Sequence, residues 1–353
     1  LRDLEIHHPE AILRIREPIH TEYEITALQH KLDAVKKYPV IIVERPILFH
    51  GGESRFPLVT NLTASRPLCA EILGLDPKRI AMDYFSRTAK RIDPVVVDPK
   101  DAPVKEVIEK GQDVDLRKFP FTVHNYLDPG PYLGTGYVTT VDPDTGIDNT
   151  GLQRIWVKEK NRTGFWPALS SHNYYNMEKW WARGEDMPVA VWVGHHPAGL
   201  TGAQVRLGYP ESHWPAMGGL LEQPVRLVPS ETFGEMLMVP ADAEIVIEGV
   251  VPKEVFEAEG PFGEYTGYAG PQRPSPVIEV KCVTYRKDAI YHDIGVGCAD
   301  HLVMLGNFPL EARLYDVVKK VVPELVNAHV PISGHRFHAY LQLRKSRPGA
   351  GKA

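Results

Sequence analysis

The chain has 353 residues, with 40 Lys plus Arg against 45 Asp plus Glu, a formal charge of −5. That length allows two domains, each with a sizeable core, and the mild acidity excludes a general nucleic-acid or anionic-membrane binder while leaving room for a local basic pocket. Cys69, Cys282 and Cys298 are far apart and show no C-x-x-C spacing, which excludes a disulfide framework or zinc knuckle and fits core thiols in a reducing compartment.

The opening LRDLEIHHPE is charged, and no run approaches bilayer length, so a cytoplasmic protein with no membrane partner is expected. TEYEITALQHKLDAVKKYP, residues 21–39, reads as an amphipathic helix that stops before Pro39, and VIIVE, 40–44, as the strand after it. A second helix is expected around 67–75. The polar stretch 103–120 ends at a proline and reads as an inter-domain connection.

Beyond it the period shifts toward two. YVTTVDP, LQRIWVKE, PVAVWVG, AEIVIEGVVP and PVIEVKCVTY are short β-branched runs bounded by Asp, Pro or Gly, so 119–300 is expected to be a β-barrel or sandwich. A helix at 173–183, carrying Met177, Trp180 and Trp181, interrupts it, with Gly184 in the C′ place. LEARLYDVVKKVV, 310–322, reads as an amphipathic helix and FHAYLQLRK as a strand. The closing GAGK lacks the G-x-x-x-x-G-K-[ST] spacing and is not a phosphate loop.

Four segments carry candidate chemistry. In EAEGPFGEYTGY, 257–268, Glu259 and Glu264 flank a Gly-Pro-Phe-Gly turn. A turn begun by Gly260-Pro261, with Gly263 free to take positive φ, can converge them, and converging like charges keep one carboxyl protonated near neutral pH. DPDTGIDNTGLQRIWV, 142–157, is a hairpin turn followed by Asn149, Gly151 and Arg154; Asn149 offers an amide oxygen, and Gly151 admits a bulky ligand. Ser171 and His172 precede a helix, where free amides favour an anion. GGLLEQPVRLVPSET, 218–232, is apolar around Arg226.

These segments, with FPLVTNLTASRPLCAEILGLDP, DLRKFP, ARGEDMPVAVWVG and VPADAEIVIEGVV, resemble the UbiD-type decarboxylases, which use prenylated FMN. The resemblance implies an α+β protein: an N-terminal α/β domain (1–115), a flavin-reductase-like split β-barrel that binds cofactor and performs catalysis (116–305), and a linking helix (306–353) beginning a C-terminal domain largely absent from this chain. It implies reversible decarboxylation of an aromatic or α,β-unsaturated acid, with Arg154, Glu259 and Glu264 as the catalytic set. Asn149, Thr150, Gly151, Leu152, Arg154, Ser171 and His172 match the cofactor contacts. Asn149 and His172 match protein ligands of a manganese ion that, with potassium, holds the cofactor phosphate.

The family's third metal ligand, a glutamate, is expected where Arg226 stands, and a guanidinium has no lone pair to give. Either Glu222 or Glu231 is recruited, or Arg226 touches the phosphate in place of the metal; the second is the expectation. A flavin prenyltransferase as cofactor supplier and a homo-oligomer are also implied. Two other readings are a non-catalytic flavin-binding or assembly subunit and, on the paired acids alone, a two-carboxylate hydrolase.

Overall fold

Two sheets organise the molecule, and late segments of the chain tie them together. The computed structural model describes residues 1–346 and Pro348; the GAGK stretch lies outside the described residues. The first sheet has the order Ile12–Ile15, Val40–Val43, Leu58–Thr60, Tyr291–His292. Val40–Val43 is buried at all four positions, as its unbroken apolar run requires. The helix before it spans Glu24–Ala34, and the next one, Arg66–Ile72, is capped by Ser65, whose side chain accepts from the Leu68 amide. Two further helices, Arg2–His7 and Ile80–Ala89, were not singled out by the sequence pattern.

The second sheet closes on itself. Its antiparallel order is Arg162–Phe165, Asp148–Glu159, Tyr132–Val141, Met187–Val193, Ile245–Val251, Arg273–Tyr285, and the last strand pairs back to the first. The fold is thus mixed α+β around a closed six-strand antiparallel barrel, and the β-branched runs read from the sequence are its staves. The hairpin before Asp148–Glu159 forms as its DP-D-T-G spelling indicates: Gly146 takes φ +72°, and its amide reaches the Asp142 carbonyl at 2.9 Å. The stretch 103–120 is more than a connection, because Val107–Lys110 pairs with Cys282–Tyr285. Its alternating half-buried and exposed residues conceal an edge strand inside a polar composition.

One core runs through both sheets, from Ile41, Phe56 and Leu58 through Phe119 and Phe121 to Ile155, Val191 and Ile247. Two buried carboxylates fasten the later segments to the first sheet. Asp300 accepts the Asn61 amide at 2.7 Å and the Thr63 amide at 2.9 Å. Glu311, on the Phe308–Val321 helix, takes both arms of Arg66 at 3.0 and 2.7 Å. All three cysteines are buried and unbridged, as read. No helix among the described residues is long and apolar enough to cross a membrane.

Two glycines in the barrel separate close packing from ligand space. A Cβ on Gly249, opposite the bulge in Arg273–Tyr285, would sit 2.2 Å from the Glu279 carbonyl oxygen, whereas one on Gly151 would meet only Asn173 Nδ2 at 3.6 Å. Gly249→Ala is therefore expected to cost about 1–3 kcal/mol of stability through overpacking and so to lower Tm, and Gly151→Ala to leave it unchanged. Equal melting of both variants would show that the bulge yields.

Candidate active site

Arg154 lies on the Asp148–Glu159 strand, with its side chain 8% exposed. Burying a guanidinium demands paired acceptors, and the turn identified in the sequence supplies them. Nε donates to Glu259 Oε1 at 3.0 Å and Nη2 to Glu259 Oε2 at 2.6 Å, a two-pronged pair, while Nη1 binds Glu264 Oε1. The cation lies 4.5 Å from the Trp166 ring centre and 4.8 Å from that of Phe262, so aromatic faces cover what the carboxylates leave. Tyr132 donates a further hydrogen bond to Glu259 Oε1 at 3.1 Å.

The turn itself is built differently from its sequence reading. Positive φ falls on Gly260 (+81°) and not on Gly263. Gly263 is required for space: a Cβ there would lie 2.1 Å from Asn125 Nδ2. Its amide donates to Asp128 Oδ1 at 3.1 Å, and Asp128 Oδ2 accepts the Asn125 amide at 2.8 Å. Glu259 ends a strand paired to Arg273–Tyr285, and the Glu264 amide closes onto the Tyr268 carbonyl at 2.8 Å. The two acids therefore arrive from opposite ends of a braced bend.

Arg154 and Glu264 face a cavity of ≈ 400 Å³, within the range that holds a small ligand or cofactor. Asn149, Thr150, Gly151 and Leu152 line it from the same strand, and Ser171 and His172 from the start of the His172–Ala182 helix. Ser171 is that helix's N-cap, its hydroxyl accepting the Tyr174 amide at 3.2 Å. Asn149 gives its Nδ2 to Asn173 Oδ1 at 2.6 Å, which leaves its own oxygen for a ligand. Burial lowers the His172 pKa, so its ring stays neutral. Glu259 stands behind Arg154, 1% exposed.

The structure does not bring Arg226 to this cavity. It binds Asp242 Oδ1 at 2.7 Å and the Asp101 carbonyl at 2.6 Å, and it lines a second hollow with His195, His196 and Arg286. Glu222 lies 3.4 Å from Arg87, and Glu231 pairs with Lys105 and Lys110, so neither alternative carboxylate lines the cavity. On the wall with Asn149 and His172 stands His213 instead. Its Nε2 is 3.1 Å from the Val205 carbonyl, its Nδ1 lies 3.4 Å from the Thr150 amide, and burial lowers its pKa to about 4. The sequence did carry a signal for it: SHW at 212–214 repeats, ahead of a second helix, the spelling of SHN at 171–173. Tyr265 was also missed although it follows Glu264 in the acid turn, and His301 and Arg336 because they come from segments after the barrel.

The cavity suits a flavin better than a protein-held metal. Gln153 Oε1 lines it as a buried acceptor without a partner, a match for the N–H of an amide-bearing ring, and the capped helix start beside Ser171 suits a phosphate. Among the described residues, no three His, Cys, Asp or Glu stand together as a metal site. Manganese or potassium fits here only as an ion completed by a ligand's own oxygens.

The chain has relatives among known proteins. Residues 95–299 match the family model of the 3-octaprenyl-4-hydroxybenzoate carboxy-lyase Rift-related domain, and residues 6–88 that of the same carboxy-lyase's N-terminal domain. The chain belongs to the UbiD family of carboxy-lyases. It is 30% identical over 333 residues to a phenolic acid decarboxylase of Sedimentibacter hydroxybenzoicus, covering 89% of this chain and 67% of that protein. It is 28% identical over 350 residues to an anhydromevalonate phosphate decarboxylase of Methanothermobacter thermautotrophicus, covering 97% and 77%. Among solved structures, an evolved dimeric form of the UbiD-class enzyme HmfF from Pelotomaculum thermopropionicum, in complex with prFMN, superposes with a TM-score of 0.92 at 32% identity, over 99% of this chain and 79% of that one.

Burial lifts the Glu264 pKa; Arg154 pulls it back, and the charge of Glu259 adds to the lift, leaving it raised from the ordinary glutamate value. A carboxyl whose pKa is higher in the fold than in the unfolded chain adds stability at low pH, and that contribution disappears as pH rises through the native pKa. The Tm of Glu264→Gln relative to wild type is therefore expected to rise as pH climbs through and above the ordinary glutamate range. A difference that is constant with pH would contradict this.

Proposed function

We propose that the chain catalyses the reversible, non-oxidative decarboxylation of an aromatic or α,β-unsaturated carboxylic acid with prenylated FMN. The observation that carries this is the buried Arg154 held between Glu259 and Glu264 at the wall of a flavin-sized cavity. The cofactor supplies the electron sink for breaking the bond to CO₂. Arg154 has a planar fork and a fixed charge with which to orient the substrate carboxylate. Glu259 keeps that fork from turning, and so acts as a positioning residue. Glu264, the more exposed acid, donates the proton that replaces CO₂ and takes it back in carboxylation.

Asn149, Thr150, Gly151, Leu152, Ser171 and His172 are assigned to cofactor binding, with Asn149 and His172 nearest in chemistry to a phosphate-bound manganese ion. Arg226 is withdrawn from this set because of its place in the second hollow. The functional division follows as 1–115 for support, 116–305 for cofactor and catalysis, and 306–353 as a linking segment, in a homo-oligomer supplied by a flavin prenyltransferase. Two acids sharing one guanidinium do not flank an open gap as a glycosidase pair does, which disfavours the hydrolase. A pure assembly subunit would have no need of an acid with a raised pKa at the cavity wall.

The test is co-expression with a flavin prenyltransferase and measurement of CO₂ release from cinnamic, hydroxybenzoic and heteroaromatic acids. A bound-flavin absorption band and turnover are expected. Glu264→Gln should keep the band and lose about 10²–10⁴-fold in kcat, the usual worth of a positioned proton donor. Undiminished turnover in that variant would remove Glu264 from the mechanism.

A further inference from the structure

Behind the acid bend, and outside the cavity, lies a buried series of charged groups that begins on the first sheet. The side chains of His124 and Asp293 are both 0% exposed, and His124 Nε2 donates to Asp293 Oδ2 at 3.1 Å. Asp293 directly follows the Tyr291–His292 strand. Its amide donates to the Val59 carbonyl at 2.8 Å, and its Oδ1 accepts the Tyr291 hydroxyl at 3.1 Å. Burial opposes a charge on His124, but Asp293 and then Asp128 outweigh it and raise its pKa, so two carboxylates favour the charged ring.

The series ends on the turn that carries Glu264. The His124 amide donates to Asp128 Oδ2 at 3.2 Å, beside the Asn125 amide, while Asp128 Oδ1 takes the amide of Gly263, the residue before Glu264. Burial lifts the Asp128 pKa, and the Gly263 amide followed by the charge of His124 pulls it back without cancelling the lift. Losing the His124 charge therefore favours a neutral Asp128, which is a weaker acceptor. The His124 ring also stands edge-on to Phe262, with centres 6.5 Å apart, and Phe262 lies against Arg154. Glu264 itself is held by one arm of Arg154 and by the Tyr268 carbonyl of its own bend, so its place relative to Arg154 follows that of the Gly263 peptide. A buried ion pair adds little net stability over an apolar pair of the same volume. What it adds here is direction, because it ties the bend to a sheet that carries none of Arg154, Glu259 and Glu264.

We propose that His124 and Asp293 are positioning residues for Glu264: through Asp128 they hold the Gly263 peptide where the Glu264 carboxyl meets Arg154 and faces the cavity. This rests on the decarboxylase reading above only in naming Glu264 the proton donor. Neither residue lines the cavity, so both act through Glu264 and not on a substrate.

The experiment compares wild type, Asp293→Asn, Glu264→Gln and the double variant, each co-expressed with a flavin prenyltransferase, and reads kcat and KM for one acid that the wild type turns over. Asp293→Asn should lower kcat by about 10- to 100-fold, the cost of a misplaced reacting group, with KM unchanged. It should lower kcat no further where residue 264 is already Gln, because the two changes then remove one and the same contribution. In parallel, the protonated Glu264 carbonyl is titrated by infrared difference against Glu264→Gln. Glu264 faces Arg154, Glu259 and Arg273, and in Asp293→Asn its midpoint should fall toward that of an ordinary glutamate as the bend loosens. An equal fall in kcat in both backgrounds, or an unmoved midpoint in a variant that folds and binds flavin, overturns the proposal. His124→Gln, which keeps a donor toward Asp293 without the charge, carries the same test if Asp293→Asn does not fold. If wild type turns over no acid, the decarboxylase reading falls, and the infrared midpoint alone decides the positioning role.

Discussion

A guanidinium buried to 8% exposure cannot lose its charge, so the fold must bring acceptors to it or forgo stability. Arg154 sets that constraint. Its acceptors, Glu259 and Glu264, lie more than a hundred positions along the chain, and they reach it because the barrel closes. Arg162–Phe165 pairs with both the Arg154 strand and Arg273–Tyr285, and the latter also carries the strand ending in Glu259. Removing one acid would leave a buried charge short of a partner. The Arg154–Glu259–Glu264 cluster and the barrel's closure are thus one arrangement.

Their direct contacts make the two acids unequal. Glu259 is locked by a two-pronged contact and by Tyr132, while Glu264 has a single arm of Arg154 and stands at the cavity. Asp128 fixes the bend between them through the Gly263 amide. One acid can therefore hold the cation steady while the other gains and loses a proton, a division of labour that environment, and not residue type, imposes.

Much of this was legible in the sequence. The barrel strands announced themselves by β-branched runs between turn residues, and the acid turn by its Gly-Pro spelling. What stayed hidden was what depends on distant packing. Val107–Lys110 is polar because it is an edge, so composition read it as a connection. Gly263 serves a close approach by Asn125, which no local pattern displays. Arg226 sits in a segment placed by resemblance, but its strand pairs with Val95–Val96 and Gly234–Pro240, outside the barrel, and this turns it to another hollow. His301 and Arg336 reach the cavity from segments after the barrel, where neighbouring sequence gives no hint of a site.

The most direct test is a crystal structure of the protein loaded with prenylated FMN and a non-reacting acid analogue. The account predicts the analogue's carboxylate within hydrogen-bond reach of Arg154, with Glu264 against its reacting carbon and the cofactor phosphate beside Ser171 and His172. An analogue bound elsewhere, with Arg154 and its two glutamates facing no ligand, would contradict it.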